Sequence, residues 1–187
     1  MTKLMMVVVI LMSWSFSVQA QTEIKLPKGT PVLVDGQVAA GEWDDATEIK
    51  ISDQVTLAAK SSGDFIFVAV KYPKPTYFGV DLYVSSVTGQ LVNLHASAKL
   101  GERELKDGKW PDWTWWNNQG WVANTSRGIT FERREFLPDE IKEFQIRRSR
   151  FPGKVWRVRL EVHTNTTIVF PEKAELSNPE TWLRFKL

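Results

Sequence analysis

The feature that most constrains the fold is the segment 155–163, where apolar and polar side chains alternate without a break from Trp156 to His163. Alternation with a period of two predicts a β-strand that has one face on a core and the other in water. After the first twenty residues, no segment of ten or more shows a helical period, so we expect an all-β protein. The apolar side chains on one face of this strand are Trp156, Val158, Leu160 and Val162.

Shorter segments give the same indication. Residues 54–60 and 65–72 predict a hairpin, because a four-residue turn containing glycine separates them, and we expect Pro73 and Pro75 to end it. Short strands separated by turn residues are typical of sandwiches and barrels, and 187 residues suggest one domain. We therefore expect a single antiparallel β-sandwich at 32–187, after an entry segment at 21–31. The other strand-like segments are 78–85, 90–98, 142–148 and 181–187.

The first twenty residues have the three-part layout of a secretory signal peptide. A positive start precedes the apolar run Leu4–Met12, and a more polar stretch ends at Ala20. The run is shorter than the roughly 20 residues that span a bilayer, so we expect cleavage after Ala20 and no stable membrane anchor; an uncleaved anchor is the alternative. The chain has no cysteine, which suits a bacterial periplasm or exterior better than a eukaryotic secretory route.

Tryptophan is the one unusual residue type. Five of the nine tryptophans lie in a Trp-rich insertion that we place at 99–128. An indole offers a flat apolar face and one N–H donor, which suits stacking on a sugar ring, while the alternative is that these rings pack in a core. We include Arg103 and His95 because we expect their strand to lie beside the insertion. The predicted ligand-binding residues are Trp110, Trp113, Trp115, Trp116, Trp121, Asn117, Asn118, Arg103 and His95.

The sequence offers little for catalysis. It contains no Gly-x-Ser-x-Gly, His-Glu-x-x-His or phosphate-loop motif, so we expect no enzyme activity; a small hydrolase or redox subunit is the alternative. The 24 basic residues are nearly matched by 22 acidic ones, which argues against a nucleic-acid partner. His95 and His163 with a carboxylate are compatible with a mononuclear zinc site, although histidines on strands more often have ordinary hydrogen-bond partners.

Two segments carry a family resemblance. The sequence Val34-Asp35-Gly36, followed by Glu42-Trp43 and Ala46, resembles the opening of family 9 carbohydrate-binding modules and of the wider DOMON-like group. The strands at 65–71 and 79–84 are similar to those that follow in the family, and Asp81 matches its aspartate. The resemblance implies a β-sandwich, a sugar held between two aromatic rings, and often a structural calcium ion.

Acidic residues near the first turn supply oxygens for such an ion. No strict ligand spacing supports a site there, and exposed turn residues are the alternative, so no cofactor is certain and structural calcium is one option. The calcium candidates are Asp35, Glu42, Asp44 and Asp45.

These observations predict an exported, non-catalytic protein that binds an oligosaccharide or polysaccharide, with sugar rings stacked on tryptophans of residues 110–121. The alternative is a structural or protein-interaction domain of the cell envelope. In that case the Trp cluster would pack internally or anchor a protein partner, because tryptophan and arginine are enriched among interface anchors.

Overall fold

The computed structural model describes residues 22–115, 119–126 and 137–187. These ranges contain thirteen β-strands, two short 3₁₀ turns and no α-helix. The predicted all-β class is confirmed. No helix in these ranges is long and apolar enough to cross a membrane. The predicted signal peptide lies outside the described residues and stays a prediction.

Two sheets pack face to face. The eight-stranded sheet has the order β1-β13-β11-β5-β6-β7-β8, with β12 also paired to β11, and the five-stranded sheet has the order β2-β3-β4-β10-β9. Neighbouring strands are antiparallel except β1 and β13, which are parallel. The strands are β1 (Glu23–Lys25), β2 (Thr47–Lys50), β3 (Thr56–Ser62), β4 (Phe65–Thr76), β5 (Gly79–Ser85), β6 (Leu91–Ala96), β7 (Leu100–Glu104), β8 (Thr114–Trp115), β9 (Trp121–Ala123), β10 (Asp139–Arg147), β11 (Val155–His163), β12 (Thr167–Phe170) and β13 (Leu183–Lys186).

The core between the sheets comes from the alternation in the sequence. On β11 all four predicted inward residues are buried, and they meet the buried side chains of β5, which pairs with β11 over seven residues. Phe144 and Ile146 on β10 close the core from the five-stranded sheet. The predicted hairpin is β3 and β4, which turns at Gly63 with a φ of 54°. The β-sandwich is therefore confirmed.

Two local features differ from the expectation. Strand β4 continues through Pro73 and Pro75 to Thr76, because the register with β10 shifts there and the ladder does not need the missing N–H groups. The entry segment at 21–31 contributes strand β1, which pairs with β13 at the edge of the eight-stranded sheet, and Leu26 packs into the core.

Two charged residues on β10 are buried on opposite faces. Lys142 lies on the core side with no exposed surface, and its ammonium contacts a carboxylate oxygen of Asp139 at 2.5 Å and Ser126 Oγ at 3.2 Å. Burial lowers the pKa of Lys142, while Asp139 opposes that shift. Glu143 lies on the outer face of the five-stranded sheet and is also buried, so on this strand neither charged residue faces solvent.

A loop formed by residues 30–46 covers that outer face. Glu143 accepts hydrogen bonds from the backbone N–H groups of Asp35 and Gly36 and from the indole N–H of Trp43. Burial raises the pKa of Glu143 to about 7, and these donors oppose the shift. Lys60 fixes the other end of the loop, since its buried ammonium donates to the carbonyl of Glu42 at 2.6 Å and contacts Asp45. This face of the protein is therefore occupied by its own chain.

Candidate functional site

The opposite surface of the molecule is the outer face of the eight-stranded sheet. The segment 171–182 covers part of it, where Trp182 packs edge-on against Tyr83 and Arg159 donates to the carbonyl of Ala174. The remaining part carries aromatic and ionisable side chains, and we call it the outer face. Its residues are Asp81, His95, Arg103, Trp110, Trp113, Trp115, Glu161 and His163.

Three of its tryptophans form a ladder with two cations. The guanidinium carbon of Arg103 lies 5.1 Å from the ring centroid of Trp110 and 4.2 Å from that of Trp113. Trp113 stacks on Trp115 with a centroid separation of 5.9 Å and an interplanar angle of 25°. Lys99 Nζ lies 5.5 Å from the Trp115 centroid, and 53% of Trp115 is exposed. We call Trp110, Arg103, Trp113 and Trp115 the Trp ladder.

A glycine in β7 allows the rings of Trp113 and Trp115 to approach the backbone of the sheet closely. A Cβ atom at Gly101 would lie 3.0 Å from Trp115 and 3.2 Å from Trp113, closer than side chains ordinarily approach. Because Gly101 pairs directly with Trp115 across β7 and β8, the two rings rest on its bare backbone. The two rings therefore pack closely over Gly101, and about half of Trp115 stays exposed.

Polar groups beside the ladder lack partners. Arg103 forms no ion pair within the described ranges, and its Nε is buried without an acceptor. Asn93 lies directly opposite Arg103 in the register, has no exposed surface, and leaves both side-chain amide atoms unpaired among the described residues. Buried polar groups are almost always paired in folded proteins, so this site has hydrogen-bonding capacity that the described chain does not use.

A second cluster joins the ladder at His95, whose ring lies 5.2 Å from that of Trp113. His95 Nδ1 contacts Asp81 Oδ1 at 2.7 Å, and His163 Nε2 contacts Asp81 Oδ2 at 3.0 Å. Burial alone would raise the pKa of Asp81, but the two histidines hold it at about 2. The hydrogen bond to Asp81 raises the pKa of His163 against the opposing effect of burial.

Glu161 completes this cluster from the neighbouring position on β11. Its Oε1 contacts Arg159 Nη1 at 2.7 Å, and its Oε2 accepts a hydrogen bond from the Tyr83 hydroxyl at 3.2 Å. Burial raises the pKa of Tyr83, which keeps the hydroxyl protonated and therefore a donor. In the described residues, Asp81, Glu161 and His163 are the one group of three metal-ligating side chains whose ligand atoms all lie within 4.8 Å of one another.

The structure brings together five of the predicted ligand-binding residues. Trp121 lies elsewhere: it is 5% exposed in the core between the sheets, and its indole N–H donates to Glu102 at 2.6 Å. Trp116, Asn117 and Asn118 lie outside the described residues. The five that meet on the outer face are Trp110, Trp113, Trp115, Arg103 and His95.

The four calcium candidates do not converge. Asp45 is engaged by Lys60 and by Thr30, and Glu42 accepts hydrogen bonds from the backbone N–H groups of Leu33 and Ala39. The remaining two candidates, Asp35 and Asp44, belong to no group of three ligands in the described ranges.

Sequence reasoning missed Asp81 and Glu161 as members of the site. They lie 80 residues apart, and only the register of β5 against β11 places them side by side. The one indication in the sequence is the polar face of the strand at 155–163, on which Glu161 and His163 are neighbours.

An apolar groove lies at the side of the sandwich, next to Trp115. It has a volume of about 470 Å³ and lies between β7 and β8 of one sheet and β9 of the other. Its apolar lining comes from Leu100, Trp115, Val122 and Ala123. Trp115 therefore has one edge on the ladder and another on an open apolar surface.

Comparison with known proteins gives one structural relative. No protein-family model matches the sequence, and no curated protein matches it. A family 9 carbohydrate-binding module from Caldicellulosiruptor kristjanssonii, solved in complex with cellotriose, superposes with a TM-score of 0.57. The two chains are 13% identical over 89% of this chain and 93% of the other. The resemblance to the wider DOMON-like group stays a prediction. The chain thus has the fold of a family 9 carbohydrate-binding module.

Proposed function

We propose that the protein binds carbohydrate without catalysis, and that the sugar rings stack on the Trp ladder of the outer face. The observation that carries this proposal is the half-exposed Trp115, stacked on Trp113 beside an arginine that has no carboxylate partner in the described chain. The shared fold supports it, because the structural relative was solved with a bound cellotriose.

The ladder has the two features that a sugar needs. The exposed half of the Trp115 indole, which the Lys99 ammonium also approaches, offers an apolar area for the C–H face of a ring. Arg103 offers N–H donors in a fixed plane for hydroxyl oxygens, and its position between Trp110 and Trp113 restrains it. Trp116, Asn117 and Asn118 directly follow Trp115 in the sequence, and we include them in the proposed site.

The proposal also assigns the protein to the exterior or the periplasm, following the predicted cleavage after Ala20, and to a bacterium. It names an oligosaccharide or polysaccharide as the partner, with no nucleic acid and no stable membrane anchor. Trp121 is excluded from the stacking surface, since its ring is buried and its N–H is already bonded to Glu102.

The first experiment is a glycan array with the wild-type protein, followed by calorimetry on the best ligand. Replacing Trp115 by alanine removes a stacking contact of about 1 kcal/mol or more, so we expect at least about a fivefold loss of affinity. Tyr77→Ala is the matched control, because Tyr77 is 62% exposed and lies outside the outer face. Equal affinity of Trp115→Ala and wild type would contradict the proposed site, and an array without binding would contradict the function.

The apolar groove supports a second candidate function, a protein-interaction domain of the envelope. Here Trp115 and Val122 would anchor a partner protein instead of a sugar. A charge in the groove separates the two candidates: Val122→Lys should abolish capture of a protein partner from envelope extracts and leave glycan binding intact. Loss of glycan binding in this variant would place the sugar in the groove.

A further inference from the structure

Three ligand atoms on the outer face point at one another. His163 Nε2 lies 3.0 Å from Asp81 Oδ2 and 3.8 Å from Glu161 Oε2. Two ligands of a tetrahedral zinc ion, each about 2.05 Å from the metal, lie about 3.3 Å from each other. The two separations bracket this value, and all three ligand atoms lie within 4.8 Å of one another, so side-chain adjustments can bring them to the ligand spacing of a metal ion.

Each of the three side chains is held by its other polar atom. Asp81 Oδ1 contacts His95 Nδ1, and Glu161 Oε1 contacts Arg159 Nη1. His163 Nδ1 contacts the Thr167 hydroxyl at 3.2 Å. Metal ligands in proteins are ordinarily oriented in this way by a second layer of hydrogen bonds, which fixes the ring tautomer and the carboxylate geometry.

The second layer is itself anchored. His95 Nε2 contacts the Ser97 hydroxyl at 2.8 Å, so both nitrogens of that ring are engaged. Tyr83 donates to Glu161 Oε2, which still has a free lone pair for a metal, since a carboxylate oxygen carries two.

His163 Nε2 faces two carboxylate oxygens, and the position of the imidazole proton decides what this arrangement can bind. With its proton on Nε2, His163 donates one hydrogen bond to Asp81 Oδ2. With its proton on Nδ1, where the Thr167 hydroxyl can accept it, Nε2 turns a lone pair toward the two carboxylate oxygens, and a divalent ion can bind all three atoms together.

We propose that Asp81, Glu161 and His163 bind a divalent transition-metal ion of the zinc type, with one coordination position open to solvent. The imidazole favours zinc over calcium, which takes oxygen ligands. Solvent has access because the His163 side chain is 36% exposed. Three protein ligands with an open fourth position allow a water or a hydroxyl group to bind the metal. The proposal stands on these contacts and does not depend on sugar binding.

The test is a calorimetric titration of the metal-free protein with Zn²⁺, using the full chain without a histidine tag. We expect one Zn²⁺ per chain, no binding of Ca²⁺ at the same concentration, and at least about a tenfold loss of Zn²⁺ affinity in His163→Ala. Because His163 is partly exposed, that variant is expected to fold, and its thermal transition without metal checks this. Glu180→Gln is the matched control, since Glu180 is an exposed carboxylate paired only with Arg157.

Substitution of Co²⁺ gives a second readout. A four-coordinate cobalt site absorbs visible light far more strongly than hexahydrated Co²⁺, and we expect this absorption in wild type and in Glu180→Gln but not in His163→Ala or Glu161→Gln. Absence of stoichiometric Zn²⁺ binding, or equal affinity in wild type and His163→Ala, would overturn the proposal and assign the cluster to a histidine that is hydrogen-bonded to Asp81. Glycan binding measured with a chelator present tests the proposed function separately.

Discussion

The buried pair of Lys142 and Asp139 gives the sharpest expectation for stability. Both side chains have at most 1% exposure, and among the described residues the ammonium has just one other hydrogen-bond partner, the hydroxyl of Ser126. Replacing Asp139 by alanine leaves a positive charge in the core with one neutral acceptor. Breaking a buried pair in this way costs about 3–5 kcal/mol, a large part of the roughly 5–15 kcal/mol that stabilises a typical domain.

Urea denaturation of wild type, Asp139→Ala and the double variant Asp139→Ala/Lys142→Met measures this cost. The methionine keeps the length of the lysine stem beside Phe78 and removes the charge, so the double variant should return to within about 1 kcal/mol of wild type. If the single variant loses less than about 1 kcal/mol, the ammonium is solvated after all. If the double variant is as unstable as the single one, the loss comes from backbone damage at the start of β10.

The same variants should differ in their dependence on pH. Burial lowers the pKa of Lys142 in the folded state, and Asp139 opposes that shift, so removing Asp139 should lower the pKa further. A lysine whose pKa is lower in the folded state than in the unfolded state loses its proton at lower pH when the protein is folded. The free energy of unfolding then rises with pH up to the unfolded-state pKa of about 10.5. The deficit of Asp139→Ala should therefore shrink as the pH rises toward the unfolded value of about 10.5, while the double variant shows no such recovery.

Three further outcomes can be tested. Burial raises the pKa of Glu143 from 4.5 to about 7. Its contribution to stability is therefore complete below pH 4.5 and is lost as the pH rises through about 7. The thermal transition temperature should fall across this window in wild type, and fall less in Glu143→Gln. Lys60→Met removes the ammonium that holds Asp45 and should cost about 2 kcal/mol in urea denaturation, whereas added Ca²⁺ should leave the wild-type transition unchanged. Gly101→Ala places a methyl group 3.0 Å from Trp115 and should lower glycan affinity in calorimetry several-fold with little change in the thermal transition, whereas unchanged affinity would show that the ladder can shift freely.

The fold was predictable because the core-forming strands show an alternation of apolar and polar residues in the sequence. On β11 the period of two identifies both the strand and its buried side, and the glycine at the turn after β3 identifies the hairpin. Lys142 shows the limit of this reasoning. Lys142 follows Asp139 by three residues, and the register with β4 is irregular just after Asp139, so both charged groups can meet in the core. No local pattern in the sequence predicts this ion pair.

The candidate site was predictable only in part, because its residues lie on strands that are far apart in the sequence and meet through sheet pairing. The tryptophans at 110–121 look like one cluster in the sequence, but β8 with Trp115 and β9 with Trp121 belong to different sheets. Trp115 therefore ends on the outer face beside β7, while Trp121 on β9 turns into the core. Asp81 and Glu161 meet because β5 pairs with β11, and the sequence of neither strand predicts which strand it pairs with.

The two outer surfaces of the sandwich differ in how many of their buried polar groups have hydrogen-bond partners within the described chain. This difference favours the eight-stranded sheet as the site. On the five-stranded sheet, the 30–46 loop brings a donor to Glu143 and an acceptor to Lys60, so the buried charges are paired. On the eight-stranded sheet, Asn93 and Arg103 keep polar atoms that have no partner in the described chain, and Arg103 lies beside the rings of Trp110 and Trp113. Leaving buried polar atoms unpaired costs about 1–3 kcal/mol each. Arg103 is partly exposed, so a ligand can pair it and recover part of that cost, whereas Asn93 has no exposed surface for a ligand to reach. An Asn93→Leu variant should therefore be at least as stable as wild type in urea and keep its glycan affinity, and a loss of stability would mean that the Asn93 amide serves the fold.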